Sequence, residues 1–205
     1  MDKNQYITGL PMNFPKDVAE NKFLLVLISE EQYINLLYGA IKSLFNNVAP
    51  RPSKTAIQKK GKICYVCLRR PYKDVLSDLK ESGIDTDAFF FIDVLSSHYE
   101  TPYWKGNCIF LRTPLALSEV HDAISKAIAE RNCRTILIDA ISNLLNYRET
   151  FDIVRFTHNL LNQEKKTRKI FVAFKKDGFP EEEGRMLTKD IMMFADCLLD
   201  LGPNA

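Results

Sequence analysis

Apolar residues in this chain gather into short unbroken runs, separated by stretches in which they recur every three or four positions. Residues 22–29 form the first run, of strand length and apolar on both alternations, the pattern of a strand covered on both faces. Residues 31–46 then place Tyr33, Leu36, Leu37, Ala40, Ile41, Leu44 and Phe45 at helical spacing. The same order repeats. Runs at 62–68, 88–93, 107–111, 134–139, 169–174 and 196–201 read as strands. Helices are expected from Pro71 to Gly83 (Tyr72, Val75, Leu76, Leu79) and over 118–131 (Val120, Ala123, Ile124, Ala127, Ile128). Two more are expected through Phe151, Val154, Phe156, His158, Leu160 and Leu161, and over 184–195. Residues 1–21, with Pro11 and Pro15, the linker 50–61 and the segments 96–106 and 140–148 carry no period and read as irregular.

Apolar strands separated by helices predict a three-layer α/β domain over 22–205: a mostly parallel sheet of about six or seven strands, with helices on both faces. Open parallel sheets bind ligands beyond the carboxyl ends of their strands. That rule selects Ser29, Glu30 and Glu31 after the first strand, Arg69 and Arg70 after the second, and Asp93 after the third. Arg112 and Thr113 follow the fourth, Asp139, Ser142 and Asn143 the fifth, and Lys175 and Lys176 the sixth. The basic residues between 51 and 60, and the run 165–169, precede strands and belong to the opposite edge.

Composition adds little until charge is mapped along the chain. There are 28 basic and 26 acidic residues among 205, a net charge of +2. Residues 51–73 nevertheless hold eight bases and no acid, while 177–200 hold seven acids and two bases. Such asymmetry points to a charged partner or to a solvated loop. Nucleic-acid binding is disfavoured, because the basic segment contains only Tyr65 and Tyr72 as aromatics and offers no stacking platform. No apolar run reaches the eighteen or so residues of a membrane helix, and the first residues lack the basic-then-apolar order of a secretory signal, so a cytoplasmic location is expected. The five cysteines are an odd number. Cys64 and Cys67 form a C-x-x-C inside a strand, where residues three apart point to opposite faces and cannot share a metal. His98, His121 and His158 show no ligand spacing, and no metal site is expected.

The first strand-to-helix turn, Ser29-Glu30-Glu31-Gln32-Tyr33, is where a phosphate-binding fold of this type carries a glycine-rich loop and a lysine. It has neither, no G-x-x-x-x-G-K-[ST] occurs in the chain, and its two carboxylates would repel a triphosphate.

Two stretches are similar to a known family. Thr135-Ile136-Leu137-Ile138-Asp139, followed by Ala140-Ile141-Ser142-Asn143-Leu144-Leu145, resembles the Walker B strand of RecA/KaiC-like ATPases. Cys67-Leu68-Arg69-Arg70-Pro71-Tyr72, leading into a helix and then through Ser82-Gly83-Ile84-Asp85 to the strand ending at Asp93, also resembles that superfamily. The resemblance covers about 180 residues, from Phe23 to Leu201, and is to archaeal homologues that have lost their phosphate loop. It implies a RecA-like fold, a degenerate nucleotide site at Ser29, Glu30, Arg69, Arg70, Asp139, Ser142, Lys175 and Lys176, no catalytic residue, and no cofactor, with ATP binding doubtful. Where active members place paired catalytic glutamates, this chain has Arg69 and Arg70. Asp139 then positions no magnesium and caps the strand-end loop.

The resemblance further implies a regulatory or protein-interaction module in signalling, with protein partners or self-association. Arg69 and Arg70 against Glu181, Glu182 and Glu183 of another copy would supply complementary charge. Two alternatives stay open: a non-hydrolysing nucleotide or anion binder that uses Arg69, Arg70, Lys73, Lys175 and Lys176, and a DNA-associated paralogue.

Overall fold

The computed structural model describes residues 20–46, 61–96, 103–113, 116–174 and 181–201, with no side-chain account for 43–46 and 181. Lys175 and Lys176, the linker 50–60 and almost all of the irregular 1–21 lie outside them. In chain order the elements are β1 (Phe23–Ile28), α1 (Tyr33–Asn46), β2 (Lys62–Cys67), α2 (Tyr72–Glu81), β3 (Phe89–Asp93), β4 (Tyr103–Lys105) and β5 (Cys108–Phe110). They continue with α3 (Leu117–Arg131), β6 (Cys133–Asp139), α4 (Thr150–Gln163), β7 (Arg168–Phe174), α5 (Glu181–Met192) and β8 (Cys197–Asp200). Among the described residues the strands make one sheet of eight, ordered β4-β5-β3-β2-β6-β7-β1-β8. Every pairing is parallel except β4 with β5.

Alternation along each strand sorts the core into two layers. Leu24, Val26 and Ile28 of β1 meet α1 and α2 through Leu37, Ile41, Val75 and Leu79. Phe23 and Leu25 meet the other layer, built from Ile124 of α3, Ile153 and Leu160 of α4, and Leu187 and Ile191 of α5. A strand clad on both faces must be apolar at every position, which is why the runs were unbroken. Each such side chain contributes about 1.5–3 kcal/mol on burial. Cys64 and Cys67 fall in opposite layers, as strand geometry requires. Contact with the Cys133 thiol, then burial, holds the Cys64 thiol well above its ordinary pKa, so it stays protonated.

Four expectations are corrected. The sheet has eight strands rather than six or seven, because β4 lies in the segment expected to be irregular. It is too short and too exposed to leave a period, and it closes a hairpin on β5 around Gly106, whose φ is +61°. Residues 140–148 hold a 3-10 helix, Ile141–Asn146. On α4 the buried stripe is Ile153, Phe156, Thr157 and Leu160, spaced at i, i+3, i+4 and i+7, while Phe151 is 70% exposed. The last helix begins at Glu181, three residues earlier than expected, since glutamates favour a first turn. No described helix is long and apolar enough to cross a membrane.

At the amino edge one basic residue turns inward. Lys169 is buried, donating to the Thr167 carbonyl at 2.9 Å and to the Glu164 carbonyl, and its burial lowers its pKa. The carbonyls of the chain turn before β7 take the place of water around the ammonium.

Candidate functional site

The carboxyl ends of β1, β2, β6 and β7 converge on one buried carboxylate. Asp139, the last residue of β6, is fully enclosed. Its Oδ1 accepts the hydroxyl of Tyr33, the first residue of α1, and its Oδ2 accepts that of Tyr65 on β2 at 2.6 Å. Burial pushes the Asp139 carboxyl up to about 6, against the two hydroxyl bonds and the charges of Arg69 and Arg70, which pull it down. Burial also raises the Tyr33 and Tyr65 phenols, so both remain donors.

Chain geometry next to Asp139 is tight. Ala140 adopts the left-handed conformation (φ 60°, ψ 72°), turning β6 into the 3-10 helix. That turn lets the Ser142 hydroxyl accept the Phe174 amide at 3.2 Å and the Asn143 amide donate to the Leu68 carbonyl at 3.2 Å. The strand ends of β6, β7 and β2 are thereby tied together. Asp139 bonds side chains from two other elements and caps no loop. Capping is the work of Asp93, which accepts the amides of Tyr72, Leu95 and Ser96 and the Ser96 hydroxyl.

Above the carboxylate lies an open cleft of about 580 Å³ walled by the β1–α1 turn, Arg69, Arg70 and Asn143. The turn is closed by the Gln32 and Tyr33 amides bonding to the carbonyls of Ser29 and Glu30. Each arginine already holds an acid of its own chain. Arg69 pairs with Glu30 at 2.5 Å and lies over the rings of Phe174 (4.4 Å) and Tyr33 (4.9 Å). Arg70 pairs with Asp78 of α2 and contacts the Tyr38 hydroxyl at 3.4 Å. Of the expected site, Glu30, Arg69 and Arg70 line the cleft and Asp139 is buried against Tyr33, whereas Ser29 gives its carbonyl to the turn, Ser142 bonds the Phe174 amide, and Glu182 and Glu183 stand exposed on α5. Sequence reading missed Tyr33, Tyr65, Tyr38 and Asp78. A tyrosine in an apolar stripe looks like core, and only the position of Tyr33 in the first helical turn after β1 hinted otherwise.

No family model and no curated protein matches the chain. Among solved structures it is similar to a KaiC-like protein from the hyperthermophilic archaeon Pyrococcus horikoshii OT3, with a TM-score of 0.53 over 87% of this chain and 71% of that one, at 14% identity. The fold is KaiC-like. The identity is low enough that the likeness carries the architecture alone.

Two features of the described residues bear on whether a cation and a phosphate chain could bind at this place. A cation at Asp139 would have to displace two tyrosine hydroxyls, and a triphosphate would meet Glu30 and Glu31 where a phosphate loop needs glycine and lysine.

The raised Asp139 pKa makes stability depend on pH. Between about 4 and 6 the folded state holds a proton that the unfolded chain has released, so this group's contribution falls as pH rises through that window and is level above it. The cost at neutral pH is about 3 kcal/mol. Urea midpoints across that range should show the decline in the wild type, and the Asp139→Asn protein should lose most of it.

Proposed function

We propose that this domain is a KaiC-like module that does not hydrolyse nucleotides and acts through contacts with other proteins, with Asp139 as a structural anion. The observation that carries this reading is the engagement of both Asp139 oxygens by Tyr33 and Tyr65. Their hydroxyls sit where metal-assisted phosphoryl transfer would need an open carboxylate face. The β1–α1 turn supports the same reading, since it puts carboxylates at the mouth of the cleft. A regulatory place in signalling fits a domain of this kind.

Phosphate release from ATP with magnesium is the direct test. The purified protein is expected to release no more than buffer does, and release that disappears in Asp139→Asn would overturn the reading.

One observation favours a second reading, an anion site at the cleft: two guanidiniums stand on its wall. Their pairing with Glu30 and Asp78 sets the cost of such a site, because an incoming anion must compete with a carboxylate already in place. The same pairs meet the charge of Arg69 and Arg70 within the chain, so self-association through Glu182 and Glu183 would have to break them.

A further inference from the structure

Five of the nine large apolar side chains that are exposed among the described residues lie within 13 positions of the chain: Met186, Met192, Met193, Phe194 and Leu198. Met193 is 78% exposed and Met186 52%. They share one side of the sheet. Leu198 stands opposite Leu25, which belongs to the α3–α5 layer, whereas its neighbours Cys197 and Leu199 pack into the α1–α2 layer. Leu198 is therefore on the α5 side of β8, at the edge of the sheet. The Phe194 ring, in the turn between α5 and β8, lies 5.7 Å from the ring of His158 on α4 and joins the patch to that helix.

Charge around the patch has a sign. On a helix surface the neighbours of a residue are those three and four positions away. For Met186 these are Glu182, Glu183, Lys189 and Asp190, three carboxylates against one ammonium, and each of the glutamates is exposed. Asp196, exposed in the turn before β8, accepts the backbone amides of Lys22 and Phe23 and adds its negative charge nearby.

From these observations we infer that the α5–β8 face is a docking surface for a basic amphipathic helix of a partner protein, with the methionines and Phe194 receiving its apolar stripe and Glu182, Glu183 and Asp190 meeting its cations. Methionine suits such a surface, because its unbranched, polarisable side chain repacks around different apolar partners. Four of the five apolar side chains belong to α5 and the turn after it and only Leu198 to the edge strand, and this favours a helix laid across them over a strand added to β8. The inference gives the interaction module proposed above a surface, yet it fails separately. ATP hydrolysis would end the inactive reading and leave the surface standing.

The test uses the 205-residue chain and a fluorescein-labelled model peptide of about 18 residues, five turns of leucine and lysine in amphipathic order. A second peptide carries glutamate in place of each lysine. Fluorescence anisotropy should show saturable binding of the lysine peptide with a Kd of about 10 µM or below in low salt, weakening as salt is raised. The glutamate peptide should bind at least about tenfold more weakly. Met186→Ser/Met193→Ser and Glu182→Lys/Glu183→Lys/Asp190→Lys should each weaken the lysine peptide about tenfold, with circular dichroism and melting unchanged because the side chains are not core. Absence of saturable binding, or equal binding by both variants, would overturn the inference. So would sedimentation showing a wild-type dimer that the methionine variant abolishes, since the occupant would then be a second copy of the chain.

Discussion

Replacing Tyr33 and Tyr65 together by phenylalanine is expected to destabilise the domain by about 3–5 kcal/mol at pH 8, the cost of leaving a buried charge without partners. Each single change removes one of the two donors to Asp139 and should cost about 1–3 kcal/mol. The rings keep their packing, so almost the whole effect is electrostatic. Two tests separate it from a general loss of structure. Asp139→Asn in the double-phenylalanine background should recover most of the loss, because the uncompensated charge is gone. Lowering the pH to 5 should recover part of it as well, since the carboxyl, already held up to about 6 by burial, takes a proton more readily once its donors are removed. Urea denaturation of the wild type and these four variants at the two pH values measures all of this. A double variant within about 1 kcal/mol of wild type would mean that the hydroxyls contribute little to holding the anion.

Phe91→Ala is the second large expected loss, about 3–5 kcal/mol by cavity formation. Phe91 is at the centre of β3, fully buried, with ring centroids 5.0 Å from Tyr72, 5.7 Å from Phe89 and 5.8 Å from Tyr65. Removing it loosens the ring that presents the Tyr65 hydroxyl to Asp139, so the loss should exceed that of a peripheral phenylalanine by far. The internal control is Phe151→Ala on α4, where the ring is 70% exposed and lies 5.6 Å from the Arg155 guanidinium. It should move stability by no more than about 0.5 kcal/mol. Equal losses in the two variants, read from denaturation midpoints, would contradict the layer assignment.

How much could be read from the chain depended on which force acts at each place. Strands β1, β2, β3, β6 and β7 sit inside the sheet under two helical layers, and burial on both faces left unbroken apolar runs that no helix or loop could mimic. Edge strand β4 is three residues long with Trp104 and Lys105 exposed, so nothing distinguished it from a loop. The stripe of α4 was misread because Phe151 and His158 look like core by composition, yet they lie off the line of Ile153, Phe156 and Leu160.

At the site, the strand ends pointed to Asp139, Arg69, Arg70, Ser142 and Glu30, because parallel topology sends all of these ends to one edge of the sheet. Their partners could not be named that way. Tyr33 and Asp139 are 106 positions apart and Tyr65 and Asp139 are 74 apart, and their pairing depends on the strand order that places β7 between β6 and β1. The pairing of Arg70 with Asp78 is local, a strand-end arginine against the middle of the next helix, and only the rotation of α2 reveals it.

The proposal above turns on the Asp139 carboxylate being held by the protein's own tyrosines, leaving no place there for magnesium and nucleotide. The most direct measurement is the melting temperature of the wild-type chain with and without ATP and magnesium at millimolar concentration. A ligand present at about one hundred times its Kd adds about 2.7 kcal/mol to stability, which for a chain of this size is a rise of several degrees. The account predicts no rise beyond that given by magnesium and salt alone. A rise that saturates with ATP, and that vanishes in Asp139→Asn, would contradict it.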